Sequence, residues 1–209
     1  MNCGWFYNWG PHGDSQNGVE FVPMIKGKKG ATEKVLTQVK KSGAKVLLGF
    51  NEPEREKQGD TTVEEALDLW PRLMATGLRL GSPAPSSDKE GQAWLEKFME
   101  GVEKRKLRVD FIAVHWYRGA DVDKFSEWLD GLHKRYNRPL WVTEFNAKFT
   151  DGDRDKFARE AFRMLEHHRH VERFAYMNGF SAEPGALFEG KGDAKKPTKL
   201  GELYRETGK

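Results

Sequence analysis

A chain of 209 residues with 37% hydrophobic and 32% charged residues is long enough for one compact core, and its composition argues against both a disordered and a membrane-spanning protein. The 35 basic and 32 acidic side chains nearly cancel to +3, and a pI near 8.8 without a basic stripe gives no footprint for nucleic acid. No apolar run reaches the roughly 20 residues of a transmembrane helix, one cysteine (Cys3) rules out an intrachain disulfide, and Met1-Asn2-Cys3-Gly4-Trp5 lacks the basic and apolar segments of a signal peptide.

The elements alternate along the chain. Trp5 to Trp9 and Glu20 to Ile25 are the first two predicted strands. Thr32 to Ser42 places Val35, Leu36 and Val39 on one helix face, and Gly43 is a stop signal. Lys45 to Phe50 is a third strand, closed at once by Asn51-Glu52-Pro53. Thr62 with Glu65 makes a capping box, and Pro71 is expected to kink or split the helix that follows. Leu78 to Ser82 is a fourth strand. Ala93 to Lys104 stacks Trp94, Leu95, Phe98, Met99 and Val102 at helical spacing. Val109 to Trp116 is the fifth strand and Val122 to Tyr136 the next helix, with Phe125, Trp128, Leu129 and Leu132 inward. Pro139 to Phe145 is the sixth strand and contains Thr143-Glu144-Phe145. A helix from Asp153 to His168, a strand from Arg173 to Met177, a short eighth strand at Ala186-Leu187-Phe188, a turn at Gly190 to Lys196 and a helix from Thr198 to Arg205 complete the chain.

Most of these strands are apolar without polar alternation, as expected for a parallel sheet covered on both faces. About eight of them alternating with helices in one chain predict a single-domain α/β fold, a compact (β/α)₈ TIM barrel over residues 1–209. The competing open doubly wound sheet lacks a Gly-rich phosphate loop after the first strand.

Two apolar strands end in a carboxylate, and a buried charge is costly unless something needs it. In barrels of this class the reactive groups sit at the C-terminal strand ends, where Glu52 and Glu144 fall three strands apart. A pair of carboxyls about 5–5.5 Å apart supports retaining cleavage of a glycosidic bond, and a gap of roughly 6.5–9.5 Å supports inverting cleavage. On the fifth strand Phe111, Ala113, His115 and Tyr117 share one face, while Ile112, Val114 and Trp116 share the other.

Six phrases in order carry a resemblance: Tyr7-Asn8-Trp9-Gly10, Phe21-Val22-Pro23-Met24-Ile25, Leu47-Leu48-Gly49-Phe50-Asn51-Glu52-Pro53-Glu54, Gly81-Ser82-Pro83-Ala84, Asp110-Phe111-Ile112-Ala113-Val114-His115-Trp116-Tyr117 and Leu140-Trp141-Val142-Thr143-Glu144-Phe145. From Tyr7 to about Asn178 the chain resembles glycoside hydrolase family 128, β-1,3-glucanases within the clan of (β/α)₈ retaining glycosidases. The resemblance implies Glu52 as acid/base, Glu144 as nucleophile, Asn51 as hydrogen-bond partner of the sugar 2-hydroxyl, and His115 and Tyr117 at the floor of the site. Asn8 and Trp9 complete the substrate-binding set, with Trp9 as the candidate stacking ring. It further implies a β-glucan polysaccharide or oligosaccharide as partner, no cofactor or metal, no nucleic acid or membrane, a monomer, and a secreted or cell-exterior location. The sequence departs from the family in two places: Lys26 stands where relatives usually carry an aromatic residue, and the two glutamates fall on the third and sixth strands rather than the fourth and seventh. The Lys26 departure keeps two alternatives in view, a glycosidase for another β-linked glucan or mannan, and a glycan-binding barrel without turnover.

Other features have plainer explanations. Glu52 could cap a turn, and His115 alone could be a satisfied core histidine. Trp70, Trp94 and Trp128 read as core, and Trp116 and Trp141 as packing toward helices. His167-His168-Arg169-His170 lacks a second ligand cluster for a metal and reads as a polar helix end. Thr150-Asp151-Gly152-Asp153 lacks the later ligands of a calcium loop and reads as a helix cap at Asp153. Cys3 has no base beside it and reads as a bystander thiol.

Overall fold

The computed structural model describes residues 4–147, 153–177, 185–190 and 195–207. Cys3, the Thr150–Gly152 part of the acidic turn, residues 191–194 of the Gly190–Lys196 turn, and the end of the resemblance at Asn178 lie outside the described residues. The chain divides into two compact units, Trp5–His115 and Met1–Gly4 with Trp116–Lys209. Each follows the alternation of strand and helix.

In the first unit β1 (Trp5–Phe6) pairs in parallel with β2 (Glu20–Phe21), and β3 (Val46–Leu47) with β4 (Arg79–Leu80). Parallel bridges at Met24–Leu48, Asn51–Ala84 and Gly81–Phe111 carry the same order from β2 to the start of β5 (Ile112–Trp116). The ladders are shorter than the apolar runs that predict them. Past β2, Pro23 has no N–H to donate, and its carbonyl accepts from Leu48 instead.

The helices of this unit are α1 (Glu33–Lys41), α2 (Val63–Met74) and α3 (Lys89–Arg105). Thr32 caps α1 by accepting from the Val35 N–H, and Gly43 follows in the left-handed region at φ 80°. The Thr62–Glu65 capping box forms at α2. The expected break at Pro71 does not occur, and α2 runs unbroken to Met74. Pro71 falls in the last turn, where little helix follows it, and its neighbour Trp70 is fully buried with its indole N–H donated to Arg108 O at 2.8 Å. Phe50, Trp70, Phe98 and Trp94 stack in series under these helices, with ring separations from 4.9 to 6.1 Å. Removing a ring such as Trp70 would cost about 3–5 kcal/mol.

In the second unit β6 (Leu140–Phe145) pairs in parallel with β7 (Val171–Tyr176). Helices α4 (Val122–Tyr136), α5 (Arg154–His167) and α6 (Lys199–Glu206) cover it. Asp153 caps α5 through the Lys156 N–H, as expected. Trp116 stacks on Phe125 at 4.5 Å, and Phe145 packs against Phe162, Phe174 and Tyr176, so these rings face the helices. Trp128 is half-buried rather than core, lying against Trp116 at 5.5 Å from the outer side. The predicted eighth strand is a two-residue β8 (Phe188–Glu189), paired antiparallel with β9 (Lys196–Pro197) instead of continuing a parallel ladder. Antiparallel pairing needs only a short loop, whereas a parallel crossover needs a dozen residues or more. The polar helix end is found, with His167 the exposed last residue of α5 and His168 its C-cap; His168 is buried, and His168 and His170 each approach Asp130 at 3.7 Å. Among the described residues no cluster is arranged to hold a metal ion, and no helix is long and apolar enough to cross a membrane.

Candidate active site

Glu52 follows β3 on a tight loop rather than on the strand itself. Its φ is 37°, a left-handed conformation that costs a non-glycine residue about 1–2 kcal/mol. The loop holds it there through its backbone: the Glu52 N–H donates to Ala84 O at 2.8 Å, and its carbonyl accepts from Arg55 N and Gly59 N at 3.0 and 3.3 Å. Gly59 is required for this closure, because a Cβ there would lie 2.6 Å from Asn51 O and 2.8 Å from Pro53 Cα. The Glu52 side chain keeps 19% of its surface exposed, and its Oε1 lies 3.4 Å from Nδ1 of His115, which is itself buried. That separation is at the long end for a hydrogen bond, as is common at sites without substrate.

Asn51 is 2% exposed and sits in a parallel bridge with Ala84. Its backbone N–H donates to Lys26 O at 2.9 Å. Its side-chain Oδ1 has no hydrogen-bond partner among the described residues. A buried acceptor left unpaired costs about 1–3 kcal/mol, so a position of this kind calls for an explanation.

Asn8 and Trp9 lie on the loop after β1. Asn8 is exposed and ties a turn, donating through Nδ2 to His12 O at 3.0 Å and accepting the Gly10 N–H at 3.1 Å. This geometry gives Asn8 a local structural task. Trp9, in left-handed backbone at φ 57° and edge-on to Tyr7 at 5.3 Å, lines a pocket of about 280 Å³ with Lys26, Lys29, Gln58 and Asp60. Lys26 is exposed at this pocket, where the family resemblance leads one to expect an aromatic ring. Lys28, also at this pocket, pairs with Glu65 at 3.1 Å and Asp60 at 3.5 Å.

In the second unit Glu144 is the penultimate residue of β6 and is 5% exposed. Tyr117 donates its phenol O–H to Glu144 Oε2 at 2.8 Å. Such a charge-assisted bond fixes the carboxylate in one orientation. Two residues on, the buried Asn146 donates through Nδ2 to Met177 O at 2.6 Å. Burial pushes the Tyr176 phenol on β7 up to about 12, with Asp155 adding to the shift and Arg154 opposing it.

The first unit therefore brings Asn51, Glu52 and His115 together, with Trp9 at a neighbouring pocket, and the second joins Tyr117 to Glu144. Sequence reasoning misses the contacts that Glu54 and Arg55 make with Ser86–Glu90. The signal is present: Ser87-Asp88 ahead of an amphipathic run is a helix start, and Asp88 does cap α3 by accepting the Gly91 N–H. A helix begun at Ala93 hides it.

Comparison with known proteins gives the family. The family model described as Glycosyl hydrolase catalytic core matches residues 1–204. Among solved structures, a subgroup I endo-β-1,3-glucanase of family 128 from Amycolatopsis mediterranei, in complex with laminaritriose, is 36% identical with a TM-score of 0.85, covering 98% of this chain and 90% of its own. Subgroup II endo-β-1,3-glucanases from Sorangium cellulosum (26% identical, TM-score 0.81, 99% and 91% covered) and Pseudomonas viridiflava (29% identical, TM-score 0.77, 97% and 88% covered) are also similar. No curated protein sequence matches the chain. A match over nearly the full length places this chain in glycoside hydrolase family 128.

Proposed function

We propose that the protein is a retaining β-1,3-glucanase in which Glu144 is the nucleophile and Glu52 the acid/base. Glu144 attacks the anomeric carbon while protonated Glu52 donates its proton to the leaving oxygen. Ionised Glu52 then takes a proton from the water that releases the sugar. Tyr117 holds the attacking carboxylate, and His115 orients the acid/base. Asn51 meets the sugar 2-hydroxyl with its buried, otherwise unpaired acceptor, and Trp9 offers its ring at the neighbouring pocket. No metal or cofactor enters the scheme.

The observation that carries this reading is that each carboxylate has a partner in one short run: His115 meets Glu52 and Tyr117 meets Glu144. The Amycolatopsis relative supports it further. It was crystallised with laminari-oligosaccharides as single variants at each of two glutamates, spaced along its chain much as Glu52 and Glu144 are here. Its endo action is proposed for this chain also. The parallel order from β1 to β5 and the βα alternation from β3 to β7 support one (β/α)₈ barrel over residues 1–209, and we propose it acts as a monomer. A secreted or cell-exterior location is proposed from the family resemblance.

The test is digestion of laminarin followed by proton NMR of the first products. β-Anomers and a broad early spread of oligosaccharides are expected. First-formed α-anomers would overturn the retaining assignment. Cleavage of mannan or another β-linked glucan in preference would move the substrate, and binding without release of reducing ends would make the protein a glycan binder.

A further inference from the structure

The Glu52 loop meets the next βα connection through the Glu52 N–H bond to Ala84 O and through two side chains, Glu54 and Arg55. Within the loop, Gln58 N and Asp60 N donate to Arg55 O at 2.9 and 3.1 Å, and Thr61 N donates to Pro53 O at 2.8 Å. These bonds shape the loop, but they do not fix it against the next βα connection. The Arg55 guanidinium reaches across to it. Its Nη1 donates to Glu90 Oε2 at 2.9 Å, and its Nη2 donates to Ser86 Oγ at 3.1 Å and to the Asp88 carboxylate. Beside it, the buried Glu54 carboxylate accepts the Ser86 N–H at 2.8 Å and lies 3.5 Å from Arg55 Nε. Arg55 thus spans from a loop holding a left-handed glutamate three residues away to the first turn of α3.

We propose that Arg55 is a positioning residue, which sets the aim of the Glu52 carboxyl by latching its loop to Ser86, Asp88 and Glu90. The inference rests on Glu52 being the acid/base. Stability is a poor explanation for the latch, because its partners are about half to two-thirds exposed and such pairs contribute little to folding. Aim is a better one, since a displacement of about 1 Å in a catalytic group costs on the order of 10²-fold in rate. The planar fork meets three acceptors at once, which a lysine cannot do.

Leaving-group dependence separates aim from general damage. A misaimed acid harms departure of a sugar alkoxide but hardly matters for a dinitrophenolate, which leaves without a proton. For Arg55→Met, kcat/KM on laminarin should fall about 10²-fold, while kcat/KM on a dinitrophenyl laminari-oligosaccharide falls no more than about 3-fold. Arg55→Lys should fall between Arg55→Met and the parent chain on laminarin. Equal losses on both substrates, or no loss on laminarin, would overturn the proposal. Should Arg55→Met fold poorly, Glu90→Ala and Ser86→Ala each remove one latch contact, and the same substrate ratio must shift in the same direction. Glu52→Gln run alongside must show the same discrimination more strongly. If it shows none, the assignment of Glu52 has failed rather than the latch.

Discussion

The two glutamates are held in opposite ways. Glu144 lies within β6, where the register against β7 shifts between Val142 and Phe145, and it is almost wholly buried, with a phenol O–H donated to one oxygen and no left-handed backbone. Glu52 lies on a loop in left-handed backbone, more exposed, with a loose histidine contact. The contrast matches the proposed chemistry. A nucleophile needs one fixed direction of attack. An acid/base must release and recover a proton within each turnover, so access to water and a little freedom serve it.

The sharpest way to break this comparison is to exchange the demands on the two positions. Glu144→Gln should lower kcat on laminarin on the order of 10⁴-fold or more, with unchanged circular dichroism and melting, and no external nucleophile should restore retaining hydrolysis. Glu52→Ala should stay active on a dinitrophenyl glycoside and be accelerated by azide, giving a β-glycosyl azide. The reverse pattern would swap the roles.

Gly59→Ala tests whether the loop, rather than the strand, aims Glu52. The added Cβ would press on the backbone of Asn51 and Pro53, and because backbone cannot swing aside, activity should fall about 10²-fold at a stability cost of about 1–3 kcal/mol. Activity near that of the parent chain would show that the loop tolerates displacement. Tyr117→Phe tests the other side. Losing one hydrogen bond to a charged group should lower kcat about 10- to 100-fold with little change in melting temperature. An unchanged kcat would mean that the bond only packs the site.

Smaller effects probe the surroundings of Glu144. Tyr176 is neutral in the folded state to about pH 12, whereas an unfolded tyrosine ionises near 10. Stability from the neutral phenol is therefore complete below about pH 10 and lost as pH rises through about 12, up to roughly 2–3 kcal/mol. Urea midpoints measured from pH 8 to 11.5 should fall less steeply in Tyr176→Phe, and parallel curves would refute this. Gly131, exposed on α4 with nothing within 4 Å of the position a Cβ would take, is the mildest case: Gly131→Ala should stabilise by about 0.5–1 kcal/mol and leave activity alone. A loss of activity there would mean that the helices are coupled to the site.

Much of this is legible in the sequence. Caps at Thr32, Thr62 and Asp153, the helical stripes and the apolar strand runs are local signals, and they place the elements within a few residues. The expectations for Trp128 and the eighth strand fail because an apolar stripe does not say how deep a helix sits, nor which partner a short strand will find. Asn8, expected to contact substrate, also ties its own loop, a task that residue type alone does not announce.

By itself the sequence determined the α/β alternation and the family, because hydrophobic period, capping and the family's short phrases are each written within a few neighbouring residues. Only the tertiary structure decided that Glu52 sits in left-handed backbone, that Tyr117 reaches Glu144, and that Arg55 spans to Ser86, Asp88 and Glu90. Those facts depend on contacts between residues some thirty apart, whose distances are set by packing and not by any local preference.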